Sequence, residues 1–349
     1  MTRARPRMQC ESAVRNSVIA LAIALNACSG IQSALDPKGP KAAGVLHLTW
    51  FLVGTATVVY VVVVAMLFYV LRRGSRSSVD LDHELGTEII EHDGRMRTWV
   101  VAGTVLTTII LIGFVFVDLS TARSLSTVGG AEPLRIDVVG HQWWWEVKYP
   151  DPDPQNDIET ANEIHVPVGR AVLIKMKSGD VIHSFWAPNL DGKKDLIPGH
   201  ETVTWFRADT IGVYRGQCAE FCGYEHARMA FYVVAEPRIE FERWLAQQRA
   251  EASTPGDSLA QEGERVFLSS SCAMCHSIAG TGAGSNNGPD LTHLASRRTI
   301  AAGTLPNNAA NLEAWILAPQ TIKPGAKMPA NRIDPGSLRA LVAYLQGLK

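Results

Sequence analysis

The sequence predicts a multidomain membrane protein: a two-helix transmembrane hairpin, then an all-β sandwich, then a small all-α domain. Three observations carry this expectation. Two long stretches in the N-terminal third hold no charged residue. A middle region consists of short apolar runs punctuated by Gly and Pro. A C-terminal region places apolar residues at helical spacing. With 349 residues there is room for such a division. The net charge of −1 gives no reason to expect nucleic acid as a partner.

At the N-terminus, Arg3, Arg5, Arg7 and Arg15 precede the uncharged run Val18 to Leu25. That order is a secretory signal, read here as residues 1–27. It ends Leu25-Asn26-Ala27-Cys28, which resembles a bacterial lipoprotein cleavage box, although Asn26 is unusual in one. Cys28 is therefore the expected lipidation site. Plain cleavage and an uncleaved third span are the other readings. Of the 6 cysteines, Cys10 and Cys28 fall in this segment and the rest form the pairs Cys218/Cys222 and Cys272/Cys275. None is left for a disulfide framework.

The hairpin is expected within residues 28–130. No Asp, Glu, Lys or Arg lies between Lys41 and Arg72, or from Thr98 to Val117. Each stretch reaches the ~20 residues that cross a bilayer, giving spans at about 45–71 and 98–118. The connecting loop carries Arg72, Arg73, Arg76, Arg95 and Arg97, whereas the outer flanks carry Lys38, Lys41 and Arg123. Counting basic residues puts the loop in the cytoplasm and everything after Asp118 outside.

Residues 131–248 read as strands, among them Arg135–Val139, Ala171–Lys175, Thr202–Phe206 and Ala230–Val234. Turns are expected at Pro167-Val168-Gly169, Lys177-Ser178-Gly179-Asp180 and Pro198-Gly199-His200. Asp151-Pro152-Asp153-Pro154 is a loop, because alternating Pro cannot sit in a central strand. Phe241, Trp244 and Leu245 fit a short amphipathic helix closing the domain. Gly140-His141-Gln142-Trp143-Trp144-Trp145 sets three tryptophans in a row, which on a strand must show a ring on each face.

The chemistry concentrates in Cys218-Ala219-Glu220-Phe221-Cys222-Gly223-Tyr224-Glu225-His226-Ala227-Arg228-Met229. Cys222, His226 and Met229 alone have the spacing of a mononuclear copper loop, with thiolate and imidazole as ligands and a weak thioether beside them. His183, in Val181-Ile182-His183-Ser184-Phe185-Trp186, is the candidate distant imidazole. Cys218 is surplus to that set. A second thiolate can bridge, so the loop can hold two coppers, with the weak positions falling to Met229 and the Glu220 carbonyl. A Cys218–Cys222 disulfide and a Cys2His2 zinc site are the competing readings.

With these residues the loop resembles the dinuclear copper (CuA) site of cytochrome c oxidase subunit II, and a hairpin followed by such a domain is that family's arrangement. The resemblance implies a cupredoxin-like Greek-key barrel for the sandwich. It implies that electrons enter near the Trp that follows His-Gln, here Trp143. It also implies that the Glu220 carboxylate reaches a magnesium ion shared with subunit I. Two departures stand out. The family usually has Tyr where this chain has Trp144. It often has a carboxylate three residues before the Trp opening the second span, where this chain has Met96 before Trp99, with Glu88 and Glu91 off register.

Beyond a linker at 249–257, rich in Ala, Ser, Thr, Pro and Gly and expected to be flexible, residues 258–349 carry Cys272-Ala273-Met274-Cys275-His276. This is a c-type haem attachment motif: two thiols for the haem vinyls and an imidazole for the iron. Ser258–Phe267 is an expected helix, and Leu338, Leu341, Val342 and Leu345 line one helix face. Gly288-Pro289-Asp290-Leu291 resembles the loop after the haem motif in bacterial cytochromes c. Met328 is the expected sixth ligand, with His293 as its rival.

Taken together, the chain resembles subunit II of a caa-type haem–copper oxidase with a fused cytochrome c. The resemblance implies a subunit that takes electrons from cytochrome c or another small redox protein. It would pass them, by way of one covalent haem c and a dinuclear copper centre, to subunit I, where O2 is reduced to water with proton pumping. Subunit III and membrane lipid are further implied partners. The expected location is the bacterial inner membrane, multi-pass, with both soluble domains on the periplasmic or extracellular side. A copper-containing nitric oxide reductase subunit and a membrane-tethered copper chaperone remain as alternatives.

Overall fold

The computed structural model describes residues 29–74, 88–128 and 132–349. The signal segment, Cys28 and most of the cytoplasmic loop lie outside the described residues, as do the side chains of Glu88 and Glu91. Helices α1 (Pro40–Gly74) and α2 (Glu88–Ser126) are both long and apolar enough to cross a membrane. Each runs past its uncharged stretch, because nothing in the flanking sequence stops the backbone ladder; Arg72 and Arg73 sit in the last turn of α1, where they suit the helix dipole. Within the hairpin, Phe51 meets Phe114 edge to face at 5.5 Å. The described residues up to Ala42 and those from Val128 onward form one compact unit, and Ala43–Thr127 form the other.

In the first unit, the middle of the chain is a two-sheet sandwich. One sheet contains β1 (Leu134–His141), β2 (Trp144–Tyr149), β3 (Ile158–Ala161), β5 (Val172–Ser178) and β8 (Thr202–Phe206), ordered β3-β2-β1-β5-β8. The other contains β4 (Glu163–Pro167), β6 (His183–Trp186), β7 (Lys194–Leu196), β9 (Gly212–Cys218) and β10 (Ala230–Glu236), ordered β4-β10-β9-β6-β7. The pairs β1·β5 and β4·β10 are parallel and the other pairs are antiparallel. Period-two burial along β1, β2 and β5 sends Ile136, Val138, Trp145, Val147, Ile174 and Met176 inward. They meet Phe185, Phe231 and Val233 from the facing sheet. The Phe185 and Phe231 rings stack at 4.2 Å and Trp145 meets Phe231 edge on. Lys41 bonds Asp191 and Thr204, so the segment before the hairpin is anchored to the sandwich.

Two details depart from the sequence reading. The tryptophan triplet does not lie on one strand: Gln142 and Trp143 make the β1–β2 turn, and β2 starts at Trp144. Trp145 alone enters the core, whereas Trp144 stacks on His141. Strand β5 also extends through Ser178 into the expected turn, because its pairing with β1 continues to Gly140.

Helix α3 (Arg238–Gln248) closes the sandwich, with Phe241 buried and Trp244 stacked on His165. The helical domain follows: α4 (Ser258–Ser269), two short strands β11 (Thr299–Ile300) and β12 (Leu305–Pro306), then α5 (Ala309–Leu317), α6 (Pro319–Ile322) and α7 (Pro335–Gly347). Asp257 and Asp334 cap α4 and α7 through their side chains. Leu338, Leu341, Val342 and Leu345 are buried with Phe267 of α4, as their spacing predicts.

Candidate metal centre and haem cavity

Strand β9 delivers Cys218 and β10 begins at Ala230, so the loop between them starts and ends at one place. The Cys218 amide donates to the Met229 carbonyl and pins the loop shut. Pairing of Phe185 with Cys218 sets β6 alongside, and this brings in His183. The two sulfurs stand 3.8 Å apart, without a disulfide. The sulfur of Cys218 lies 3.9 Å from His183 Nδ1 and 3.2 Å from the Glu220 carbonyl. The sulfur of Cys222 lies 3.6 Å from His226 Nδ1 and 3.8 Å from Met229 Sδ. The donor atoms of His183, Cys218 and Cys222 all fall within 4.8 Å of one another. His183 and Met229 are fully buried.

This donor set fits copper. Each sulfur has one imidazole, and each end has one weak donor, the Met229 thioether or the Glu220 carbonyl. A zinc cage would leave the buried Met229 sulfur without purpose. The thiols share one negative charge: the hydrogen bond from Cys222 pulls Cys218 down to about 4, and the same contact drives Cys222 well up. Binding of a metal replaces the shared proton. Burial alone would lower His183, but its bonds to Cys218 and Asp180 outweigh this and hold it above its ordinary value.

The supporting residues carry weaker sequence signals. Asp180 accepts from His183 Nε2 at 2.8 Å, which leaves Nδ1 for the metal. Burial would raise the Asp180 carboxyl, yet the bonds from His183 and from the Gln142 and Val181 amides hold it low. The Asp180-x2-His183 spacing was available in the sequence but is also an ordinary turn signal. A Cβ on Gly140 would sit 2.9 Å from the His183 ring, so β1 can pass the imidazole only with Gly there. Gln142 Nε2 and Trp143 Nε1 both donate to the Cys222 carbonyl, at 2.8 and 3.0 Å. The Glu220 carboxylate faces away, half-exposed, 3.7 Å from Lys193.

The second site is a cavity of about 530 Å³ in the helical domain, lined by Cys272, Cys275, His276, Met328, Arg297 and, from the sandwich, Trp143. A short turn, Ser271–Met274, presents the cysteines, both unpaired. His276 Nδ1 donates to the Pro289 carbonyl at 2.7 Å, which leaves Nε2 for iron, and burial holds the ring below its ordinary value. A Cβ on Gly288 would approach the imidazole to 2.8 Å. Arg297 is buried with Nε lacking a partner, and it lines the cavity. The apolar lining fits a haem, and the orphaned Arg297 donor would be available to one of its carboxylates. Met328 lines the cavity, whereas the ring nitrogens of His293 face the Lys349 and Ala250 carbonyls at 2.9 and 3.0 Å.

The fold and these two sites define a membrane-anchored electron-transfer protein with a copper-binding sandwich and a c-type haem domain. Residues 152–236 match the family described as the periplasmic domain of cytochrome c oxidase subunit II, and residues 260–349 match cytochrome c. The protein named cytochrome c oxidase subunit 2 in Alkalihalophilus pseudofirmus is 36% identical, over 94% of this chain and 95% of its own length. The Bacillus subtilis protein of the same name is 31% identical, over 91% and 92%. Among solved structures, the periplasmic domain of subunit II of cytochrome oxidase from Bradyrhizobium japonicum is 33% identical, covering 35% of this chain and 97% of that one, with a TM-score of 0.33. The chain belongs to the cytochrome c oxidase subunit II family.

Proposed function

We propose that the chain is the electron-accepting subunit of a terminal respiratory cytochrome c oxidase, taking electrons from a cytochrome c donor and delivering them to the haem–copper subunit of the complex. It is a component of a haem–copper oxidase, held in a bacterial membrane by its hairpin with both soluble domains on the outer face. One observation supports the assignment of residues most directly: Trp143 lines the haem cavity and donates to the carbonyl of Cys222. A single ring therefore spans the two sites.

Copper and haem, when bound, supply one-electron carriers at the two ends of this contact. In our reading, His183, Cys218, Cys222, His226, Met229 and the Glu220 carbonyl hold the coppers. Cys272 and Cys275 would hold the haem covalently, and His276 and Met328 would supply ligands to its iron. Asp180 and Pro289 fix which ring nitrogen His183 and His276 offer. Trp143 is the point where electrons reach the copper loop. The exposed Glu220 carboxylate is assigned to a magnesium ion at the contact with subunit I, and subunit III and lipid complete the set of partners. The copper chaperone reading leaves the haem domain without purpose, and family membership sets the nitric oxide reductase reading aside.

Metal analysis of the purified full chain tests this. Two coppers and one haem per chain are expected. One copper with a mononuclear spectrum would overturn the bridged assignment.

A further inference from the structure

Lys323 is 3% exposed, yet it is a lysine on a connecting segment. Helix α6 ends one residue before it, and its own amide bonds back to Pro319. From there the side chain crosses out of the helical domain. Its ammonium donates to the carbonyls of Trp143 and Arg228, both on the sandwich, at 2.7 Å each, and to Ala301 of its own domain at 3.2 Å. Three donors meet three acceptors, the full complement of an ammonium. Among the described residues no carboxylate pairs with it: the nearby Glu225 is engaged by Arg228. A buried charge without a counter-ion is costly, and it is tolerated only where other dipoles replace its water. Here those dipoles come from both domains, so they exist as a set only when the domains are docked in this register.

We infer that Lys323 is a positioning residue for transfer between the two soluble domains: it fixes the helical domain in one register on the copper loop and holds the haem cavity against Trp143. The inference rests on the proposed function for its purpose and on the observed bonds for its geometry. Its position is suited to the task. Two of its acceptors belong to the residue that spans both sites and to the residue preceding the copper ligand Met229. Neighbouring contacts complete the register, among them the Arg298 amide, which donates to the buried Glu163 carboxylate of the sandwich at 3.1 Å. The Arg228 guanidinium donates to the Ile322 carbonyl, and the Ala230 amide donates to Ala302. Gly325 passes close enough that a Cβ there would lie 3.5 Å from the Trp143 ring. A longer or shorter side chain at 323 cannot satisfy the same three carbonyls. An apolar one strips the donor from the Trp143 and Arg228 carbonyls, while Ala301 keeps its bond from the Thr304 hydroxyl.

The test uses the full chain carrying Lys323→Met. Copper and haem content and the KM for external cytochrome c are expected to stay as in the unaltered chain. The Ala230 amide, which bonds across the interface, is expected to exchange with solvent about tenfold faster, and the first-order transfer between the two sites to slow about tenfold, the order set by stripping donors from buried carbonyls. Lys323→Gln, a smaller polar change, covers the case in which the apolar variant does not load its metals. Faster Ala230 exchange with slower transfer in either loaded variant supports the inference. Unchanged exchange and unchanged transfer in a loaded variant overturn it. If the proposed function itself were wrong, the unaltered chain would show no transfer between its two sites, an outcome separate from any difference among variants.

Discussion

In the Cys218–Met229 loop the donor atoms already lie within contact distance of one another, on strand ends that the core holds rigid. Around the haem cavity they do not. Cys272, Cys275 and His276 come from one turn and Met328 from a distant segment, and they line a cavity of about 530 Å³. The contrast follows from the size of what is bound. An ion-sized site forms when side chains converge, and backbone pairing decides which ones do. A macrocycle needs space, so its domain must keep helices apart and place ligands on opposite walls. The first site is thus built by register and the second by packing, and the two should break differently.

The largest expected effect is at the first site. Cys218→Ser removes one of the two thiolates proposed to bridge the coppers, and serine is a poor ligand for soft copper. Copper content should fall from two per chain to at most one, while the haem absorption remains. Loss of both signals would show that the sites are not separately built.

Met328→Ala is the matching change at the second site. The haem should stay attached through Cys272 and Cys275, its potential should drop, and the iron should take water or another ligand. Redox titration would show this. An unchanged potential would move the sixth ligand elsewhere.

Asp180→Asn should act first on register-built geometry, and it also removes the charge that faces Lys327 at 3.5 Å. The amide can no longer hold the His183 ring as the carboxylate does, and copper affinity should weaken about ten- to a hundredfold. Competition with a copper chelator measures it, and haem properties should not move.

The smallest effect joins the two regions. Burial lowers Lys323 from 10.5 to about 7 in the docked arrangement; Glu225 and the Cys222 sulfur favour its charge and Arg228 opposes it. Released from the interface, the ammonium would return to its ordinary value. Between about 7 and 10.5 the docked form therefore holds fewer protons. Docking should tighten as pH rises through that window and be weakest below it. Exchange of the Ala230 amide followed from pH 6 to about 9 would reveal the slope, and Lys323→Met should flatten it.

How far the sequence reads ahead of the structure follows the same division. The proposed copper ligands from Cys218 to Met229 stand out in the sequence because they share one short loop, and β8 appears at the residues expected, Thr202–Phe206. His183 is legible because a lone imidazole beside a strand pattern is easy to pair with that loop. Asp180 is harder, since a turn aspartate and a ligand-orienting aspartate look alike. Lys323 is illegible: its partners Trp143, Arg228 and Ala301 are scattered along the chain, and nothing local marks it as different from a solvated lysine. The linker misleads in the opposite direction. Its composition reads as flexible, yet the Ala252 amide bonds to Ala279 and the Ala250 carbonyl faces His293. Small residues that suit a loose tether also suit a segment pressed against a neighbour.

His293 has a wider consequence. Through its two nitrogens one imidazole joins the Ala250 carbonyl, where the chain comes into the helical domain, to the Lys349 carbonyl, beyond its last helix. A unit whose incoming and outgoing strands meet at one point can be inserted into, or excised from, another polypeptide with little disturbance to either. This haem-binding piece thus has the geometry of a transplantable cassette.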